Sequence, residues 1–369
     1  MAASSSSSSS YQFLNTNRYI LKYRQAHILF VSSLPVPLPL LQVKNINKTF
    51  PIHRNIFHLL SSSNPARKAI DNVSFDLGQG EVLVIAGESG SGKTTLAKLI
   101  MGALIPDDGT ISFEGNDIHS LKKRKALYSM IQMIHQDPYS SLNPNIKIKD
   151  IVMEPLKIHE NNLSRNEKDE KVRLALRRTR LEPVEEILEK YPTMLSGGQR
   201  QRVSIARSIV KIPKLIIADE PVSMLDISVR AEILSLLNEL RKTLNISIIY
   251  ITHDLATSRF IGDKIGIMFA GSIIEYGEID EVLYNPLHPY TWMLLDAVTF
   301  STNESKFYKS SDGINLSELP LKGCKFYNRC KLSFMDCTND LEQFDISKRH
   351  SVSCFYYRNQ NINRNRNID

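Results

Sequence analysis

The chain has 369 residues, of which 42% are hydrophobic and 23% charged, the balance of a folded globular protein with room for one large domain and a smaller one appended. Its formal charge of +7 is scattered without a dense basic block, which argues against nucleic acid as a partner. The longest apolar stretch, residues 26–43, is broken by Pro35, Pro37 and Pro39, so no spanning helix is predicted and any membrane pore must belong to other chains.

Residues 1–40 begin with a run of Ser and contain no Asp or Glu, which predicts a disordered N-terminal extension. A Ser-rich, acid-poor organelle-targeting segment is the alternative reading. From Leu41 the apolar residues alternate, over residues 41–46 and again over 73–77, predicting strands of a β lobe. Residues 81–86 form a short apolar run suited to a buried strand, followed by a Gly-rich loop and a helix starting near Lys93. A charged, helix-prone region spans about residues 137–205, with helices expected over 167–180 and 183–190. Residues 215–218 and 246–251 read as central parallel strands separated by a helix over 229–244, so the core is α/β. Beyond about residue 300 periodicity is lost, and all four cysteines, Cys324, Cys330, Cys337 and Cys354, lie there. The division is therefore residues 1–40, 41–298 and 299–369.

Gly87-Glu88-Ser89-Gly90-Ser91-Gly92-Lys93-Thr94 fits the spacing G-x-x-x-x-G-K-S/T directly after a predicted strand. Glycines allow successive backbone N–H groups to turn toward phosphate oxygens, and the following helix adds the positive end of its dipole. Lys93 brings charge to the β- and γ-phosphates, the Thr94 hydroxyl suits Mg²⁺, and Thr95 continues the same helix start. The run at residues 215–218 ends in Asp219-Glu220, placing one carboxylate for a metal and one to polarise a water. For the cysteines, a metal site and free thiols are equally compatible with their spacing, while disulfides are disfavoured in a reducing compartment.

Leu195-Ser196-Gly197-Gly198-Gln199 resembles the LSGGQ signature of ATP-binding cassette (ABC) ATPases, and the other motifs follow that family's order over roughly residues 41–298. The resemblance implies a P-loop ABC ATPase domain with a RecA-like core, an antiparallel β lobe and a helical subdomain. It also implies that Ser196, Gly197, Gly198 and Gln199 act on ATP held by an opposite subunit, identical or homologous. Gln136 resembles the Q-loop glutamine, Ser223-Met224-Leu225-Asp226 the D-loop with Met224 where Ala is usual, and His253 the switch histidine. Phe50 resembles the aromatic that stacks on adenine, with Phe57 as its rival.

Residues 135–144 (with Gln136-Asp137-Pro138), 218–223 and Asn285-Pro286-Leu287-His288-Pro289-Tyr290-Thr291 are similar to the ATPases of oligopeptide and dipeptide importers, a group that includes nickel and antimicrobial-peptide uptake systems. That resemblance implies a 4Fe-4S cluster on the four cysteines, although residues 318–323 look shortened before Cys324. It further implies two membrane permease subunits, an extracytoplasmic substrate-binding protein and a peripheral location on the cytoplasmic face of the membrane. The expected activity is ATP hydrolysis driving peptide uptake, with Glu220 activating water, His253 and Lys93 on the γ-phosphate, and Thr94, Gln136 and Asp219 on Mg²⁺. A soluble, non-transport cassette protein is the reading from another class. Such chains usually carry two cassettes or a long coiled coil, and this sequence has one P-loop, one signature and no sustained heptads.

Overall fold

Two kinds of strand build this molecule, and burial distinguishes them. A computed structural model describes residues 38–51, 66–119, 124–299, 320, 322–340 and 342–358, so the expectations for residues 1–37 and for Phe57 lie outside the described residues. The elements below all belong to one unit, Pro39–Asp369.

β1 (Leu41–Pro51) and β2 (Ala66–Leu77) pair antiparallel. Leu41, Val43 and Ile46 point inward while Lys44 and Asn45 face out. β3 (Val82–Ala86) is buried at every position, as a strand covered on both faces must be. After it come α1 (Lys93–Ile100), then β4 (Asp108–Phe113) and β5 (Asn116–Asp117), which complete a four-stranded antiparallel sheet in the order β2-β1-β4-β5.

Next come α2 (Arg124–Met130), β6 (Ile131–Ile134) and a helical stretch of α3 (Pro138–Ser141), α4 (Ile148–His159), α5 (Arg165–Arg178), α6 (Val184–Glu189) and α7 (Gly197–Ile209). Both helices expected in this stretch are present, within a few residues of the predicted limits. α5 starts where Ser164 accepts the Glu167 N–H and Glu167 accepts the Ser164 N–H, a reciprocal cap that satisfies two otherwise orphaned donors.

β7 (Leu215–Asp219), α8 (Ile227–Leu244), β8 (Ser247–Thr252), α9 (Leu255–Ile261), β9 (Lys264–Phe269) and β10 (Ser272–Glu278) follow. α8 stops because Asn245 turns left-handed at φ +52°, a conformation Asn tolerates better than most residues. The chain continues through α10 (Ile279–Tyr284) and α11 (Pro289–Thr299) to β11 (Phe344–Ser347) and β12 (His350–Val352). The second sheet has eight strands in the order β11-β12-β10-β9-β3-β8-β7-β6, parallel from β9 to β6 and antiparallel beyond.

Alternate residues of the central strands feed two separate cores. Val82, Val84, Ile216, Ile248 and Tyr250 face the helices, whereas Leu83, Ile85, Leu215 and Ile249 face α1 and the antiparallel lobe. This two-sided burial explains why the sequence shows continuous apolar runs there.

The C-terminal region differs from its unpatterned sequence. β12 pairs with β10 (Glu275 opposite Val352, Gly277 opposite His350), and strands of three and four residues are too short to leave a legible period. Glu275, fully buried, ties this corner together. Its carboxylate accepts the N–H groups of Leu287 (2.8 Å) and His288 (2.9 Å) and the Thr291 hydroxyl (2.5 Å), and lies 2.7 Å from His350 Nε2. A buried carboxylate is tolerable only with such a set of partners.

Candidate nucleotide site

The chain leaves β3 at Ala86 and wraps into a loop that ends on α1. Gly92, the residue before the helix, has φ +109°, and a Cβ there would stand 2.6 Å from the Ala69 carbonyl oxygen. Gly87 is tighter still, with only 2.1 Å between such an atom and the Met268 carbonyl oxygen. Glycine is required at both positions by space as well as by backbone angle. The loop closes around Lys93, whose ammonium donates to the carbonyls of Gly87 (2.7 Å) and Glu88 (2.8 Å). Burial pushes the Lys93 pKa below that of ordinary lysine, and the nearby carboxylates of Glu220, Asp219 and Glu88 oppose that shift.

Across from the loop, β7 delivers Asp219 and Glu220. Asp219 accepts from the Thr94 hydroxyl at 3.3 Å, and burial raises its pKa while that hydrogen bond pulls it back. A buried carboxylate beside a hydroxyl on the first turn of α1 is a donor set suited to a divalent cation. Glu220 sits at φ +46°, strained for a residue with a side chain, and is held there by its N–H to the Ile251 carbonyl at 2.9 Å. Gln136 Nε2 donates to one of its carboxylate oxygens at 2.9 Å, and His253 Nδ1 lies 3.0 Å from the other. An ionised carboxylate only accepts, so His253 carries a proton on Nδ1 in this contact.

These groups border a cleft of about 1200 Å³. Phe50, Glu88, Ser89, Gly90, Gly92, Lys93, Thr94, Thr95, Gln136, Asp219, Glu220 and His253 all line it, whereas Gly87 and Ser91 support the loop from behind. Phe50 is 37% exposed at the mouth, with Lys48 Nζ 5.8 Å from its ring centroid, a surface on which a planar base can stack.

The Ser196–Gln199 segment is elsewhere. Ser196 caps α7, accepting the Gln199 N–H at 3.3 Å while its own N–H goes to Gln199 Oε1 at 3.0 Å. None of Ser196, Gly197, Gly198 and Gln199 borders the cleft. Nearby, Arg230 holds the Ser223–Asp226 turn by donating to the carbonyls of Leu225 (2.7 Å) and Ser223 (3.3 Å). Met224 (58%) and Ile227 (84%) project from that turn into solvent.

The four cysteines line one small apolar cavity with His288, Trp292, Phe334 and Phe355. Burial pushes the thiols of Cys324 and Cys354 up to about 12, and Cys330 is also raised, as expected of protonated thiols in a dry site. His288 Nδ1 accepts the Tyr290 N–H at 3.0 Å, so its ring proton sits on Nε2, which is buried without a partner. Among the described residues, no group of three or more His, Cys, Asp or Glu side chains is disposed to hold a metal ion. Nor is any described helix long and apolar enough to cross a membrane.

Comparison with known proteins places this geometry. A family model described as ABC transporter matches residues 70–223, and one described as oligopeptide/dipeptide transporter, C-terminal region, matches residues 274–337. The chain is 39% identical over 327 residues to the oligopeptide transport ATP-binding protein AppF of Bacillus subtilis strain 168, covering 86% of this chain and 97% of that protein. This chain belongs to the ABC transporter family. It is also 40% identical over 293 residues to the oligopeptide transport ATP-binding protein OppF of Escherichia coli K12, covering 78% and 87% of the two chains. Among solved structures, cbiO1 from Clostridium perfringens, part of the ABC transporter complex cbiONQ, aligns with a TM-score of 0.57 at 31% identity, covering 67% of this chain and 91% of that one. The dimeric ABC transporter cassette MJ0796 aligns with a TM-score of 0.56 at 27% identity, covering 65% and 98%. The chain is thus an ATPase subunit whose hydrolysis is coupled to transport.

Sequence reasoning missed part of this candidate site. Met293, Leu294, Asp296 and Ala297 from α11 line the cleft, and so does Arg329 from the cysteine-bearing segment. Apolar residues on a short helix carry no local signal of nucleotide binding, and Arg329 reaches Glu88 across 241 residues.

Proposed function

We propose that this chain powers the uptake of peptides as the ATP-hydrolysing subunit of an importer, working from the cytoplasmic face with a second cassette, two permease subunits and an extracytoplasmic binding protein. The observation that carries the reading is the joint match: a complete nucleotide cleft followed by a C-terminal region of the oligopeptide/dipeptide transporter type. Relatives with oligopeptide and dipeptide transport in their names support the cargo class. In this reading residues 41–298 form the ATPase domain, with its helical subdomain over about 137–205, and residues 299–369 the extension.

In the mechanism, Glu220 polarises the attacking water, Lys93 and His253 hold the γ-phosphate, and Phe50 stacks on the base. Gln136 holds one oxygen of Glu220 and His253 lies beside the other, so the two side chains orient that carboxylate. Mg²⁺ would be held by Thr94, Gln136 and Asp219, supplying positive charge to the phosphate oxygens. Ser196, Gly197, Gly198 and Gln199 serve ATP bound by the partner cassette, which accounts for their place outside the cleft.

The proposal extends to a 4Fe-4S cluster on Cys324, Cys330, Cys337 and Cys354. Support comes from four cysteines that line one small apolar cavity together with His288, whose Nε2–H is buried without a partner. Such a cluster supplies a redox-active crosslink when bound. Iron and acid-labile sulfide in the purified chain, lost in a Cys330→Ala variant, would support it; their absence after anaerobic purification removes it.

The decisive experiment is ATP turnover of the assembled complex with and without peptide-loaded binding protein, comparing the native chain with Glu220→Gln. Peptide-stimulated turnover that drops at least about a hundredfold in the variant, with ATP binding retained, supports the reading. Turnover indifferent to both peptide and substitution sinks it.

A further inference from the structure

The second residue of the phosphate-binding loop is an acid, which is poorly matched to its setting. Glu88 borders the cleft two residues before Gly90, and a bare carboxylate there would favour the Lys93 ammonium yet offset its field and oppose the approach of a triphosphate. The chain answers this with residues from its far end. Arg329 NH1 donates to Glu88 Oε2 and NH2 to Oε1, each at 3.1 Å, a two-pronged pair with both side chains largely buried. The guanidinium is itself held in place. NH2 also meets Met293 Sδ at 3.0 Å, and the group lies 5.3 Å from the Phe326 ring centroid and 5.8 Å from that of Phe269. The Glu88 backbone is gripped as well, its N–H donating to the Tyr290 hydroxyl at 2.9 Å.

Arg329 ends a tight turn of the cysteine-bearing segment, with its own N–H and that of Cys330 both bonded to the Phe326 carbonyl at 3.0 Å. Its position therefore depends on how that segment folds against α11 and β9, and its side chain emerges in the nucleotide cleft. No other described cation lies within salt-bridge distance of Glu88.

We propose that Arg329 is a positioning residue of the ATP site: it neutralises Glu88 and aims its carboxylate away from the phosphates, so the C-terminal extension sets the charge and shape of the P-loop. The inference rests on the nucleotide-site reading above. It assigns the extension a part in ATP binding that depends on one ion pair, separate from any role of the cysteines.

The test is steady-state ATP turnover of the assembled complex in four variants. Arg329→Met is expected to raise KM for ATP about tenfold while kcat changes less than about threefold, because ground-state charge is what has been lost. Arg329→Lys keeps the charge but not the two-pronged geometry and recovers part of the defect. Glu88→Gln alone tightens ATP by a few fold. The combined Glu88→Gln, Arg329→Met chain returns KM to within about threefold of native, since no uncompensated carboxylate remains. An unchanged KM in Arg329→Met overturns the proposal, and so does a double variant as impaired as the single one, which would make Arg329 a packing residue only. If Arg329→Met fails to fold, the opposite shifts expected of Arg329→Lys and Glu88→Gln still decide it. A native complex without ATP turnover would instead remove the nucleotide-site reading itself.

Discussion

Two Gly- and Ser-containing loops in this molecule each open a helix, and they differ in how much of a phosphate site they complete. The loop of residues 87–94 buries a lysine, wraps its carbonyls around that ammonium and faces Asp219 and Glu220 across a cleft. The loop of residues 195–199 has no lysine, is capped by its own Ser196 and Gln199, and does not border that cleft. In the proposed mechanism the first is a site and the second half of one, and the exposed Met224 and Ile227 beside it lie where the other half would arrive.

The largest expected effect tests the completeness of the first loop. Lys93→Ala should weaken ATP binding to the isolated chain by about a hundredfold, because a buried charge-assisted contact to phosphate is lost. Equilibrium titration with ATP checks this, and a change under about threefold would dissolve the contrast. Gly198→Asp, which places a carboxylate in the second loop, should leave binding to the isolated chain intact yet lower turnover of the assembled complex at least about tenfold. Weakened binding in the isolated chain would show that the two loops are not separate.

The comparison sharpens with pH. Lys93 binds phosphate as the ammonium, and its pKa is pushed down by burial, so deprotonation begins at a lower pH than for an exposed lysine. ATP affinity should fall as pH rises through that depressed pKa, by up to about tenfold per pH unit, and Lys93→Arg should abolish the fall. The second loop has no titrating side chain, so the turnover defect of Gly198→Asp should not vary over the same range beyond that of the native complex. The smallest effect separates capping from recognition. Ser164→Ala and Ser196→Ala both remove a reciprocal cap and should each cost about 1 kcal/mol in urea unfolding, but only the second should reduce turnover.

What the sequence revealed and concealed follows the same divide between local and distant. The β3, loop, α1 unit was legible because its glycines, lysine and strand context are contiguous. Likewise, α8 and the two helices α5 and α6 announced themselves by composition. The left-handed Glu220 was not legible, since its strain is imposed by the Ile251 carbonyl on the neighbouring strand. Arg329 gave no local sign of its role, because its partner Glu88 lies 241 residues away. The meeting of Glu275 with His350 was invisible for the same reason, and with it the fact that residues past 340 finish the main sheet rather than stand apart from it.

That last feature bears on how the protein is made. During synthesis Glu275 and the open flank of β10 emerge 75 residues before His350, roughly 4 to 15 seconds earlier at ordinary elongation rates. In that interval a carboxylate destined for the interior lacks one of its partners, and a strand edge is exposed to neighbouring nascent chains. The final strand thus acts as a closing seal. Premature termination ahead of β12, though far in sequence from every phosphate-binding motif, would release a chain prone to edge-to-edge association rather than a merely shortened ATPase.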